Sequence, residues 1–313
     1  MADPAVLRIG EVSKRVGVSP QVLRAWERRY GLLQPTRSSG GLRLYSASDV
    51  ERVHRMRRHI AAGLAPAEAA ALAIDGDDVG ESAEGSGNSR VEVAAAIPGD
   101  DRSALATARA QLREALDRFD EPQAQAAFDR LLGLSTVETL LSEVVIPYLR
   151  ELGARWERGE ASIAQEHFAS GLLRGRLLGM ARGWGRGSGP LAVLACLPGE
   201  RHELGLIAFG LALREHGWRI VYLGADAPVE TVAEVSSASS PSLVAFSAVS
   251  PELVGPALPA LRELARHHRV ALGGPAAPHW DADADGIVRL SGDLVAEAAR
   301  LDGLPGGRPP RAG

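Results

Sequence analysis

LAVLACLPGERHELG, residues 191–205, decides the reading of this chain. Leu191–Leu197 is a short apolar run stopped by Pro198-Gly199, the signature of a buried strand feeding a turn. Further runs at 219–223, 242–249 and 269–272, with a weaker one at 286–290, alternate with helical stretches. That alternation predicts an open parallel α/β sheet, whose ligands sit beyond the carboxyl ends of the strands at the topological switch point. The loop after the first strand therefore presents His202, with Glu200 two residues before it. An imidazole whose second nitrogen is held by a carboxylate is a tuned metal ligand. A lone loop histidine is more often structural or solvated, so the position gains weight only from its surroundings. Ser247, near the end of the third run, and Gly273-Gly274, closing the fourth, are small enough to line a narrow slot for a long ligand tail.

Upstream of residue 190 the apolar period is helical. Leu105, Ala108, Leu112, Ala115 and Phe119 form one stripe; Val137, Leu140, Val144, Leu149, Leu152 and Trp156 form another. Helices are expected near 102–119, 121–133, 136–157 and 162–182, with connections short enough for an antiparallel four-helix bundle. Ser162 and Gln165 make a capping box that starts the last of these. On antiparallel helices rising about 1.5 Å per residue, Trp156 and the pair Glu166-His167 fall in nearly the same layer. Read alone, they are a core tryptophan and a surface pair.

The first 75 residues form a different kind of domain. Ile9–Val16 reads as a helix, Gly17-Val18-Ser19 as a tight turn, and Pro20–Tyr30 as a second helix with Ser19 as N-cap and Pro20 at its first position. Arg24, Arg28 and Arg29 lie on that helix, while Val22, Leu23 and Trp26 are available for packing; Trp26 is read as core rather than as a base-stacking residue. A short helix, a glycine turn and a basic helix place a recognition helix in the major groove. Gly40-Gly41 then allows a hairpin whose flanking Arg37 and Arg43 can straddle phosphates, and Asp49–Ile60 forms another basic helix.

Charge agrees with that division. Residues 1–74 hold 12 basic and 6 acidic residues, a charge of +6, whereas the remainder, with 23 and 33, carries −10, so the net −4 hides a basic head on an acidic body. Residues 76–100 are rich in Gly, Ser and acid and read as a flexible linker with a coil span of roughly 28 Å. The tail from Gly303, with Pro305, Pro309 and Pro310, is expected to be disordered. No apolar run approaches the ~20 residues of a membrane span, and the N-terminus lacks the apolar stretch of a signal peptide. The single cysteine, Cys196, excludes an intrachain disulfide. A cytoplasmic protein is expected.

The head resembles MerR-type regulators, on Ile9-Gly10-Glu11-Val12, Arg24-Ala25-Trp26-Glu27-Arg28-Arg29-Tyr30-Gly31-Leu32 and Gly41-Leu42-Arg43-Leu44-Tyr45. The resemblance implies Arg24 and Tyr30 near the recognition helix's DNA contacts and Arg37 and Arg43 in the wing; Arg28 joins them as a DNA-binding candidate. Glu200-x-His202-x-x-Gly205, Ser247-Ala248-Val249 and Gly273-Gly274 resemble the base-off, His-on cobalamin-binding fold, a flavodoxin-like α/β domain. Gly224-Ala225-Asp226-Ala227-Pro228 also fits it, and Glu stands at the first position where Asp is commoner. Trp156, nine intervening residues and Glu166-His167 resemble CarH-type photoreceptor repressors.

The resemblance implies His202 as lower axial ligand to cobalt, and Trp156, Glu166 and His167 over an upper adenosyl group. It further implies adenosylcobalamin as cofactor, operator DNA as partner, a homo-oligomer (dimer or tetramer), and release from DNA in light. Trp156 is followed by Glu157, where light-sensing relatives have a histidine able to take the vacated upper position. The photolysed form is thus expected to be water-ligated or capped by His167. The resulting architecture is multidomain: 1–75 winged helix-turn-helix, 76–100 linker, 101–188 helical cap, 189–302 cobalamin-binding α/β domain, 303–313 tail. Two alternatives remain: a corrinoid methyl carrier, against which no methyl-donor or acceptor domain fits the length, and a ligand-independent repressor with a relic pocket.

Overall fold

The computed structural model describes residues 6–18, 20–38, 41–61, 64, 66–75, 99–277 and 286–302. The chain forms two compact units, Met1–Leu140 and Leu141–Gly313. The expected linker, apart from its last two residues, and the expected tail lie outside the described residues, as does Ser19. No described helix is long and apolar enough to cross a membrane.

In the first unit, α1 (Ile9–Val16) ends at Gly17, whose φ of 66° is the left-handed conformation that lets its N–H reach back to Ser13 O. Helix α2 (Pro20–Tyr30) follows. Strands β1 (Thr36–Arg37) and β2 (Arg43–Leu44) pair antiparallel, with Arg37 opposite Arg43. The wing is therefore a short hairpin carrying both arginines. Helix α3 (Ala47–Ala61) is followed by α4 (Pro66–Asp75), which starts on a proline at its first position. Val12, Val16, Leu23, Trp26, Leu32, Val53, Met56 and Ile60 form the buried interior, which places Trp26 in the core as expected.

Helices α5 (Gly99–Asp117) and α6 (Glu121–Leu134) pack on each other as a hairpin within this same unit. Asp120 caps α6 by accepting the Gln123 N–H at 3.0 Å. The third expected helix is not continuous. It starts as α7 (Val137–Thr139), passes through a π-helical segment, Leu140–Val145, and resumes as α8 (Ile146–Glu157). Pro147, in the first turn of α8, has no N–H to donate one turn back, so the hydrogen-bond ladder changes register before it.

The second unit continues with α9 (Ile163–Met180), opened by the complete Ser162–Gln165 capping box. Then come β3 (Leu191–Cys196), α10 (Leu204–Glu215), β4 (Arg219–Gly224), α11 (Val229–Ser239), β5 (Leu243–Ser247), a 3-10 turn, α12 (Val254–Ala265), β6 (Val270–Gly273), β7 (Val288–Leu290) and α13 (Leu294–Asp302). The sheet is entirely parallel, in the order β4-β3-β5-β6-β7. Strands β3, β5 and β6 are buried along their whole lengths, as parallel strands covered on both faces require. Helix α10 is buried from Leu206 to Leu213 because it packs on the sheet and also against α9 and α13. The order of strand addition reverses at β3, which leads outward to β4 before the chain crosses to β5 on its other side. Such a switch point is where an open α/β sheet offers a ligand its crevice.

Candidate functional site

The carboxyl end of β3 meets that crevice, and Glu200 organises it. Its side chain is 1% exposed. One oxygen accepts the His202 backbone N–H at 2.8 Å and the His202 ring Nδ1–H at 2.6 Å; the other accepts the N–H groups of Val249 at 2.7 Å and Ser250 at 3.3 Å. One carboxylate thus ties the loop after β3 to the loop after β5. Burial works against its charge, but these hydrogen bonds outweigh burial and hold its pKa below the usual carboxylate range. An ionised carboxylate only accepts, so His202 must donate from Nδ1, which leaves Nε2 for another partner. The His202 side chain is 67% exposed. An imidazole held from behind and open in front is, in its neutral form, a metal donor.

Neighbouring loops hold this arrangement in place. Asp226, at a left-handed φ of 50°, accepts the Gly199 N–H at 2.6 Å, and its own N–H donates to Glu200 O at 2.8 Å. Ser247 is nearly buried and lies opposite Gly273 across the β5–β6 ladder. A Cβ on Gly274, whose φ is 95°, would stand 2.4 Å from Ala248 O, so only glycine fits there. At Gly205, by contrast, a Cβ would meet nothing within 4 Å: the missing side chain leaves space open beside the His202 loop.

Helix α9 contributes from the other side. Glu166 accepts from Ser170 Oγ and from His167 Nδ1, both at 2.6 Å. Burial raises its pKa, but these bonds and the charges of His167 and His202 bring it below the usual value. The fold therefore brings Glu166 within electrostatic reach of His202. Trp156, near the end of α8, is 53% exposed and so is not the core residue that its place on the apolar stripe suggests.

Sequence reasoning missed Glu203. This next residue after His202 accepts from Tyr222 OH on β4 at 2.5 Å and pairs with Arg174 on α9. It joins the His202 loop to the helix bearing Glu166. Nothing in the spacing of Arg174, Glu203 and Tyr222 marks the link, since they lie on separate elements.

In the first unit, Arg24, Arg28 and Arg29 project exposed from α2, Tyr30 is half-buried, and Arg37 and Arg43 are exposed on the wing. Glu27 links the two elements: it accepts the Tyr45 hydroxyl at 2.9 Å and pairs with Arg43 Nε at 3.2 Å. Burial, with this bond next, pushes the Tyr45 pKa up to about 12.

Three of the four arginines of α3 behave differently from those of α2; the fourth, Arg58, is exposed and pairs with Glu51. Arg52 donates to Leu32 O and pairs with buried Asp49; Arg55 donates to Ala73 O; Arg57 Nη1 donates to Val16 O at 2.8 Å. They bind carbonyls within the head, so its +6 charge overstates what faces a polyanion. Asp49 also accepts the N–H groups of Gln34 and Ser46, and its own N–H donates to Ser46 Oγ. Ser46-Ala47-Ser48-Asp49 is a capping box, a signal legible in the sequence but overlooked.

Comparison with known proteins agrees with this division of labour. Residues 7–73 match the MerR HTH family regulatory protein model, and residues 108–177 and 190–300 match two B12 binding domain models. The chain is 34% identical to the HTH-type transcriptional repressor CarH of Myxococcus xanthus, over 78% of this chain and 79% of that protein. It is 32% identical to the HTH-type transcriptional repressor CarA of the same organism, over 78% of this chain and 76% of that one. Among solved structures, the monomethylamine corrinoid protein of Methanosarcina barkeri superposes with a TM-score of 0.52 at 18% identity, covering 61% of this chain and 94% of that one, a likeness of fold. With a DNA-reading head and cobalamin-binding domains on one chain, the protein belongs to the family of CarH and CarA, MerR-type transcriptional regulators with B12 binding domains.

Proposed function

We propose that this chain is a light-responsive repressor that holds its operator with adenosylcobalamin bound and releases it on illumination. The observation that carries the reading is the Glu200–His202 pair at the sheet's switch point, an imidazole tied at Nδ1 by an ionised carboxylate and open at Nε2. The residues present suit the cofactor: a nitrogen donor of the right kind stands beside open space at Gly205. His202 would hold the cobalt through its Nε2. Gly205, Asp226, Ser247, Gly273 and Gly274 would line the slot for the nucleotide tail. Trp156 would offer a flat apolar face to the adenosyl group, while Glu166 accepts hydrogen bonds from ribose hydroxyls. Adenosylcobalamin supplies a cobalt–carbon bond that light cleaves. His167, whose Nδ1 is held by Glu166, would be the residue of α9 with a ring nitrogen, Nε2, to offer the cofactor after photolysis; Glu157 would be a poorer match.

Arg24, Arg28 and Tyr30 would enter the major groove, with Arg37 and Arg43 on phosphates. A small head of this kind binds weakly alone, so loaded chains would assemble as dimers or tetramers and gain affinity through effective concentration.

The test loads the chain with adenosyl-, methyl- or hydroxocobalamin in the dark. Assembly by size exclusion and retention on a selected duplex are followed before and after illumination. Assembly and DNA binding with the adenosyl form alone, both lost in light, are expected. Photolysis with no change in mass or DNA retention leaves a cobalamin-binding regulator that does not sense light. Independently, Arg24→Ala should weaken DNA binding with the cobalamin spectrum unchanged. Arg37→Ala should lower the slope of log affinity against log salt by about 1, as expected for one lost phosphate contact. Unchanged titrations for both variants would remove these residues from the interface.

A further inference from the structure

The recognition helix α2 does not rest on the head alone. Trp26 lies between Arg24 and Arg28 in sequence, and its ring is buried against α6, where position 133 is glycine. A Cβ there would stand 3.3 Å from Trp26 Cζ2 and 2.9 Å from Ile60 Cδ1. A side chain at 133 would therefore press first on the terminal methyl of Ile60 and, by a few tenths of an ångström, on the edge of the ring. Arg57 of α3 holds the same corner together: Nη1 donates to Val16 O at the end of α1, and Nη2 to Leu134 O at the end of α6 at 3.3 Å. Glycine is a poor helix former, and alanine would make α6 intrinsically firmer. Close approach to Trp26 and Ile60 gives the physical reason for a glycine here.

We infer that Gly133 is a positioning residue for DNA recognition. By admitting the Trp26 ring to the α6 backbone, it sets where α2 stands and thereby where Arg24 and Arg28 meet the groove. Helices α5 and α6, although residues 108–177 match a B12 binding domain, thus act as part of the DNA-reading unit. The inference rests on the reading of α2 as the helix that enters the groove. A side chain at 133 pushes on a rigid indole from behind, while the arginines themselves stay exposed and chemically unaltered.

The experiment uses the full chain and a duplex that the unaltered chain selects from a random pool. Affinity, thermal melting and the cobalamin spectrum are measured for Gly133→Ala and Gly133→Leu. Gly133→Ala is expected to melt no lower than the parent, keep its spectrum and bind DNA about tenfold more weakly, the order of a single mismatched base pair. Gly133→Leu should lose more. A glycine with no positioning role would leave DNA affinity unchanged when replaced by alanine. Equal DNA affinity for parent and Gly133→Ala therefore overturns the inference alone, whereas a parent that selects no duplex overturns the reading of α2 as well. Adding Ile60→Val removes the nearest methyl but not the indole, so the double variant should remain weak. Full recovery would mean that the wedge acts through α3, and would also overturn the proposal.

Discussion

Replacing His202 by alanine is expected to weaken cobalamin binding more than about 100-fold and to shift the absorption spectrum to that of a form without a protein nitrogen below the cobalt. The scale follows from the outer partner: altering a residue that only orients a metal-ligating histidine costs about 10–100-fold. Glu200→Gln falls in that lower range, because the amide can still accept from His202 but no longer as a charge. It also exposes a pH effect. The Glu200 carboxyl titrates below its ordinary value, since hydrogen bonds from His202, Val249 and Ser250 outweigh burial. Its contribution to stability is therefore complete above the ordinary carboxylate range and is lost as pH falls through the depressed folded value. Denaturant midpoints of the unmodified chain should decline from about pH 4 downward, and Glu200→Gln should remove part of that decline. A His202→Ala protein with the parent's spectrum and affinity would sink the ligand assignment.

The second large effect concerns the head's stability. Asp49 is fully buried and faces Arg52, itself 8% exposed, while also accepting the N–H groups of Gln34 and Ser46. Asp49→Ala strands a buried guanidinium and leaves those donors without their acceptor, which should cost about 3–5 kcal/mol. Replacing both partners, as in Asp49→Ala with Arg52→Met, should recover much of that loss, because no uncompensated charge remains inside. Calorimetry of the full chain resolves this if the transition of the first unit moves while that of the second does not. A loss below about 1 kcal/mol in Asp49→Ala, the range of an exposed ion pair, would show that the pair does not anchor the head.

Local spacing was enough to determine much of this protein. Helices α1 and α2, the Arg37–Arg43 hairpin, the capping box at Ser162 and Gln165, and the five strands all follow from periods, caps and breakers acting over a few residues. So does His202 with Glu200, because a strand end fixes where the next loop emerges. Tertiary structure alone decided the rest. The basic residues of α2 and α3 look alike in sequence, yet those of α2 reach solvent while Arg52, Arg55 and Arg57 turn to carbonyls of Leu32, Ala73 and Val16. Glu200 meets Val249 and Ser250 some fifty residues away, and Glu203 meets Arg174 and Tyr222, contacts that exist only once separate elements pack. The residence of α5 and α6 in the same unit as the head is of the same kind. An amphipathic stripe states that a helix buries a face, but the partner it buries that face against is chosen by the shape and polarity of segments distant in the chain.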